Sequence, residues 1–140
     1  MISLIPAAQA HLFPRVTEAM FRCRAQTFSE RLGWEVVVRD GCERDRFDNE
    51  NPLYLVSVNP RSGEYRGSLR LLPTTGPNML RDVFPALLKD DEAIESATIW
   101  ECSRICVATK EGQQDRKRRA SAMSLLNFLW GLAMWPGSQA

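Results

Sequence analysis

One run of ten residues constrains this chain more than any other: Thr98-Ile99-Trp100-Glu101-Cys102-Ser103-Arg104-Ile105-Cys106-Val107. Its length and its Ile, Val and Thr content predict a β-strand, placed centrally and covered on both faces. Such a strand does not ordinarily carry Glu101 and Arg104, because an unpaired buried charge costs several kcal/mol or shifts its pKa. Two readings stay open. Either the two ions pair with each other or elsewhere in the sheet as structure, or the strand opens onto a reaction site. Alternation puts Ile99, Glu101, Ser103 and Ile105 on one face, and Trp100, Cys102, Arg104 and Cys106 on the other. If Glu101 and Arg104 serve one site, a bulge or a splayed strand must re-aim one of them.

The rest of the chain bounds what that site can be. A length of 140 residues suits one domain, taken as residues 1–140, with a real core. Eighteen Lys and Arg against seventeen Asp and Glu leave no global field for nucleic acid or membrane. The local exception is the basic run Arg116-Lys117-Arg118-Arg119, which has no recognisable nucleic-acid motif around it. Cysteines at 23, 42, 102 and 106, with His11 the single histidine, make neither a zinc set nor a disulfide framework. Reduced thiols in a cytoplasmic protein are expected. The start lacks a signal-peptide pattern, and the apolar tract at 125–135 is too short to span a membrane.

In order, residues 2–5 read as a short strand closed by Pro6, and residues 8–32 as an amphipathic helix with Arg22, Arg24 and Arg31 riding on it. Pro14 breaks or opens that helix, and Gly33 stops it. Residues 34–38 are strand-like. Residues 53–59 and 64–72 form a hairpin around Pro60-Arg61-Ser62-Gly63. Arg70 sits in the returning strand, where an aliphatic residue would cost less; an edge strand with Arg70 facing water is the plain explanation. Residues 73–78 form a rigid loop. Residues 79–88 are irregular or briefly helical, with Phe84 packing down, and 89–96 make a charged connection. After a polar loop, 116–134 reads as a helix that is apolar nearly all round.

Between the first helix and the hairpin lies Glu43-Arg44-Asp45-Arg46-Phe47-Asp48-Asn49-Glu50, with four carboxylates in eight residues. A calcium loop would need a central glycine, which is missing. The run is either a solvated loop or, with Phe47 as an aromatic anchor, a set of acids facing a cationic small molecule.

These residues together resemble the acyl-homoserine-lactone synthases, the autoinducer synthases of bacterial quorum sensing. The resemblance rests on Arg24, Phe28, Trp34, Asp45, Asp48, Arg70, Phe84, Glu101 and Arg104, in order and at the family's spacing. The blocks Ser68-Leu69-Arg70-Leu71-Leu72-Pro73-Thr74 and Trp100-Glu101-Cys102-Ser103-Arg104 carry it best, and it covers residues 2–110. It implies an α/β three-layer sandwich like that of the N-acetyltransferases, a mixed sheet with flanking helices. It also implies acylation of the amino group of S-adenosylmethionine by an acyl-carrier-protein thioester, then lactone closure with loss of methylthioadenosine. S-adenosylmethionine is there a substrate, and no cofactor or metal is implied. Glu101, Ser103, Arg104 and Asp45 would serve catalysis, with Glu101 taking the amine proton. Arg24, Phe28, Trp34, Asp48, Arg70 and Phe84 would bind substrate, the aromatic rings walling the adenine or sulfonium. Arg24 or Arg104 would receive the ligand carboxylate.

Members of that family continue past residue 134 with strands that complete the sheet, whereas Trp135-Pro136-Gly137-Ser138-Gln139-Ala140 reads as neither strand nor cap. The expectation is therefore a C-terminally shortened synthase with exposed apolar surface. Two alternatives accompany it: an inactive fragment that only binds, and an acyl-coenzyme A N-acetyltransferase. The second lacks a glycine-rich phosphate cradle after Val107.

Overall fold

The computed structural model describes residues 1–88 and 94–108. The expected helix at 116–134, the loop before it, the basic run at 116–119 and residues 89–93 of the charged connection lie outside the described residues. Strand β1 (Ile2–Pro6) leads into a 3-10 segment, Ala7–Leu12. Helix α1 (Pro14–Arg24) opens at Pro14, where the missing N–H has no partner to lose. The chain then runs on as a π-helix, Ala25–Arg31. Three helical types thus replace the single helix expected over 8–32. Pro14 causes the first break, since a residue before proline is pushed out of the α region and Phe13 sits at φ −125°. The widened turn after Arg24 goes with the second. Arg24 ends α1 facing inward at 1% exposure, although the amphipathic pattern had set it on the surface.

Of the expected strand at 34–38 only Val38 is paired, in β2 (Val38–Arg39), against β3 at Cys42–Glu43. Upstream, Gly33 is left-handed, and the amides of Trp34 and Val36 are taken by Phe28 and Trp34 carbonyls. Those local bonds displace a ladder. Asp40 and Gly41, with φ of 53° and 73°, form the two-residue turn between β2 and β3. Positive φ at both positions is the geometry that matches strand twist in a tight hairpin.

The hairpin of β4 (Leu53–Val58) and β5 (Tyr65–Pro73) forms as the alternation predicted. A short helix α2 (Met79–Asp82) precedes β6 (Trp100–Val107), and the order in the sheet is β1-β4-β5-β6. Among the described residues, all three pairings within this sheet are antiparallel. Among the described residues β6 stands at one end of that order, paired with β5, rather than centrally. Arg70 is likewise not on an edge: β5 is flanked on both sides, and Arg70 is 1% exposed. The α/β class stands, with α1 laid on one sheet face so that Met20 and Phe21 pack against Ile5, Tyr54, Val56 and Val58. No helix of the described residues is long and apolar enough to cross a membrane.

The irregularity that matters lies between β5 and β6. Ser68 faces Cys106 while Arg70 faces Ser103, so Arg104 and Ile105 together oppose Leu69. That is a β-bulge, and Arg104 occupies it at φ 52°, an uncommon conformation for a non-glycine residue. The condition set by the alternation of β6 is met: the extra residue turns Arg104 to the face that carries Ser103 and Glu101. Beside the bulge, a Cβ at Gly67 would stand 2.8 Å from the Cys106 carbonyl oxygen. Backbone cannot swing away as a side chain can. Gly67→Ala should lower stability by about 1–3 kcal/mol through this overpacking. Gly76→Ala, with nothing within 4 Å, is the neutral control, and thermal melting of both variants checks it.

Candidate active site

The face shared by Tyr54, Arg70 and Ser103 receives the acidic run as a folded cap. Asp45 starts a 3-10 turn at Arg46–Asn49, its carboxylate accepting from the Phe47 amide while Asp48 accepts from the Asp45 amide. This reciprocal capping fixes both carboxylates. Phe47 anchors the turn at 3% exposure, as expected of it. The hairpin of β2 and β3 brings in a third acid, Glu43, at 0% exposure. A solvated loop does not describe this run.

Three arginines meet these three acids. Arg24 Nη1 and Nη2 hold Asp48 at 2.8 and 2.9 Å, and its Nε donates to Glu43 at 2.5 Å. Arg70 grips Asp45 through Nη1 and Nη2 at 2.5 and 3.0 Å, reaches Asp48 at 3.1 Å, and donates Nε to Ser103 Oγ at 3.2 Å. Arg104 lies 3.1 Å from Glu43 and 2.8 Å from Asp45. The formal charges cancel, and the two-pronged contacts are the strong kind of charge-assisted hydrogen bond. Burial alone would lower the pKa of Arg24, but Asp48 and Glu43 outweigh it and raise it. Burial likewise pushes Asp48 up, and Arg24 with Arg70 more than reverses this, leaving it below the usual carboxylate range. The Tyr54 hydroxyl donates to Asp48 at 3.0 Å; burial first, then that carboxylate, raises the tyrosine pKa.

Asp45 is held through both of its carboxylate oxygens. Its Oδ1 accepts from Phe47 N and Arg70 Nη1, its Oδ2 accepts from Arg70 Nη2, and Arg104 Nη2 stands beside Oδ2 as an ion pair at 2.8 Å. It is also the most open member of the cluster, with 19% of its side chain exposed, on the wall of a cleft of about 620 Å³ that Arg39, Cys42, Arg44 and Arg46 also line. Arg24, a candidate for a ligand carboxylate, is sealed with its fork occupied. Arg104 is nearly as deep, and its guanidinium lies 5.0 Å over the Phe28 ring. Phe28 in turn stacks on Trp34 at 5.0 Å, and Trp34 is half exposed.

Glu101 does not pair with Arg104. Its Oε2 accepts from the Leu80 amide at 2.5 Å, at the start of α2. Its Oε1 is buried without a hydrogen-bond partner. It borders a cavity of about 130 Å³ lined largely by Leu80, Leu88, Ile94, Ile99 and Trp100. The Thr74 hydroxyl holds this end of the sheet, donating to the Ser96 and Ile99 carbonyls at 3.0 Å. The structure therefore joins Arg24, Asp45, Asp48, Arg70, Ser103 and Arg104, adds Phe28 and Trp34 at the flank, and sets Glu101 on the same sheet face. Phe84 is the exception. It is 46% exposed and takes no part in the cluster, because the chain turns there from α2 into the 3-10 segment Pro85–Leu87 instead of running inward. Glu43 is the member of the ion cluster that sequence reasoning left out of the candidate site. The Asp40-Gly41 pair, a strong hairpin signal two residues upstream, could have found it.

Asp48→Asn leaves Arg24 and Arg70 with one buried anion fewer, which should cost about 3–5 kcal/mol. The sign with pH follows from its depressed pKa. The native state keeps the carboxylate ionised where the unfolded chain takes up a proton, so this contribution is present above about pH 3.9, the unfolded value, and is lost as pH falls through the lower native pKa. Denaturant titrations across acid pH should show a shallower acid limb for Asp48→Asn than for the unchanged chain.

The family that matches is described as autoinducer synthase, over residues 10–138. The acyl-homoserine-lactone synthase of Rhizobium etli is 47% identical over 124 residues, spanning 88% of this chain and 58% of that protein. The isovaleryl-homoserine lactone synthase of Bradyrhizobium diazoefficiens is 38% identical, spanning 89% and 53%. Among solved structures, the AHL synthase LasI superposes with a TM-score of 0.70 at 34% identity, covering 90% of this chain and 63% of that one. The CoA-dependent acyl-homoserine lactone synthase BjaI, with SAM and isopentyl-CoA, gives 0.70 at 37% identity, covering 82% and 53%. The chain spans about half the length of the curated relatives it matches. The family match takes in 10–138 of 140 residues, with every member of the ion cluster and Glu101 inside it, and so the chain belongs to the autoinducer synthase family.

Proposed function

We propose that this chain makes an acyl-homoserine lactone from S-adenosylmethionine and an acyl thioester. The observation that carries the reading is the Glu101 carboxylate, with one oxygen held by the Leu80 amide and the other buried and unpartnered. A carboxylate oriented at one end and free at the other is suited to accept a proton from an amine brought against it. The amine attacks the thioester carbonyl, the C–N bond forms, the C–S bond breaks, and the thiol leaves. The methionyl carboxylate then attacks the carbon beside the sulfonium, closing the lactone and releasing methylthioadenosine.

In this reading the ion cluster does not exchange protons. Asp45, held through both oxygens, aligns Arg70 and Arg104 and presents a polar wall to the cleft. Asp48 and Arg24 hold it from beneath. Ser103, accepting from Arg70, keeps its own hydroxyl proton to donate to the reacting groups. Phe28 and Trp34 supply the aromatic flank for the adenine or sulfonium.

For the acyl donor we propose a carrier-protein thioester. Acyl carrier proteins are acidic, and the run Arg116-Lys117-Arg118-Arg119 offers a salt-sensitive attraction to one. A coenzyme A thioester is the second reading, favoured by the similarity to the CoA-dependent synthase BjaI. Incubation with S-adenosylmethionine and each donor, followed by mass spectrometry of lactone and methylthioadenosine, separates the two. Binding of S-adenosylmethionine with no product from either donor would identify a binding fragment instead. With an active preparation, Glu101→Gln should cut turnover by roughly 10²–10⁴-fold. Affinity for S-adenosylmethionine, followed by calorimetry, should move far less. A variant that keeps its rate would assign Glu101 to structure alone.

A further inference from the structure

Cys23 and Cys106 are far apart in sequence and belong to different elements, the end of α1 and the end of β6. The fold packs both into one buried cluster with Phe28, at 6% and 2% exposure. Val36 and Tyr65 pack against the same cluster, so the two thiols share one small buried space. Tyr65 also shares a hydrogen bond of 2.8 Å with Ser68, the residue opposite Cys106 in the sheet. Two buried thiols make up most of this three-residue cluster, which is not an ordinary apolar filling. All four cysteines are in the thiol form here, and Cys42 and Cys102 are the more exposed.

We propose that Cys23 and Cys106 form a reversible dithiol–disulfide site, oxidised by a peroxide and reset by a small thiol. The neighbouring Cys106 thiol acts most strongly in bringing the Cys23 pKa down to about 7, against the opposing effect of burial. Cys106 itself is raised, first by its Cys23 neighbour and then by burial. The pair thus divides the roles, since the thiolate is the nucleophile in such chemistry. The Cys23 thiolate attacks the peroxide O–O bond, taking one oxygen as a sulfenic acid and releasing hydroxide. Cys106 then attacks that sulfur, its proton leaving with the expelled oxygen as water, while the proton that Cys23 gave up on ionising neutralises the hydroxide. Two thiols lose two electrons and two protons, and the peroxide is reduced to two waters.

The bond ties α1 to β6 at a consequential place. Cys23 adjoins Arg24, Cys106 lies just beyond the Arg104 bulge, and Gly67 lets the Cys106 backbone sit close against β5. Oxidation therefore fastens together the two elements that supply Arg24 and Arg104 to the ion cluster.

The full chain, native and reduced, should be exposed to dilute hydrogen peroxide, alkylated, digested without reductant and mapped by mass spectrometry. The expected product joins the Cys23 and Cys106 peptides, is lighter by two hydrogens than the two peptides combined, and vanishes with dithiothreitol. It should persist in the Cys42→Ser, Cys102→Ser double variant and disappear in Cys23→Ser. Oxidation confined to Cys42 and Cys102, with Cys23 and Cys106 still alkylated as free thiols, would overturn the proposal. So would a native cross-link pattern no different from that of the urea-unfolded chain. None of these readouts depends on lactone synthesis.

Discussion

An arginine on an inner strand, facing the core, survives only if the fold brings it an anion. Arg70 is that residue, and most of the local architecture follows from its burial. The chain answers it with Asp45 and Asp48, clamped to each other by reciprocal capping, so that the carboxylates arrive as one rigid unit. Arg24 repeats the demand from the end of α1 and is met by Asp48 and Glu43. Burying ion pairs in this way is weak evidence for added stability, since desolvation can consume the Coulombic gain. What such a lattice supplies is position, because moving one member strands another without its partner.

The β-bulge joins the last strand to the lattice. A regular β6 would send Arg104 to the opposite face from Ser103, away from Asp45. The inserted residue reverses that at the cost of a left-handed arginine. Backbone strain of this kind is of order 1–3 kcal/mol and persists where surrounding contacts over-determine it. Here those contacts are Glu43, Asp45 and the Phe28 ring. Gly67 completes the arrangement on the neighbouring strand by leaving room for the β6 backbone.

The cluster and Glu101 therefore divide the site. The cluster is electrically balanced and its donors and acceptors are nearly all spent, which suits a wall and a template. Glu101 has a free oxygen beside an apolar cavity, which suits a group that changes partner during a reaction. The dithiol of Cys23 and Cys106 sits behind this division, on the elements that hold Arg24 and Arg104 in place.

The strands were legible because period-two alternation is a local property: the hairpin of β4 and β5 and the extent of β6 could be read from side-chain type alone. A bulge or a splayed strand could also be read as the condition for turning Arg104 to the face of Glu101, and the bulge is what forms, although the two ions do not pair. Phe47 as an anchor was legible for the same local reason. The resemblance to a family named Asp45, Asp48, Arg70, Glu101 and Arg104 without saying which touched which. That pairing belongs to tertiary structure. Whether Arg70 faces water or an acid depends on which strand ends up beside it, and Arg24 reads as a surface arginine until the turn after it widens. Glu43 looks like one more charge in a solvated run until the turn at Asp40 and Gly41 folds it beneath Arg24. Phe84 reads as core by hydrophobicity and is half exposed because the chain turns there. Sequence sets the charges and the local periods; only the folded chain decides which charges share a low-dielectric space, since that depends on contacts between residues far apart along the chain.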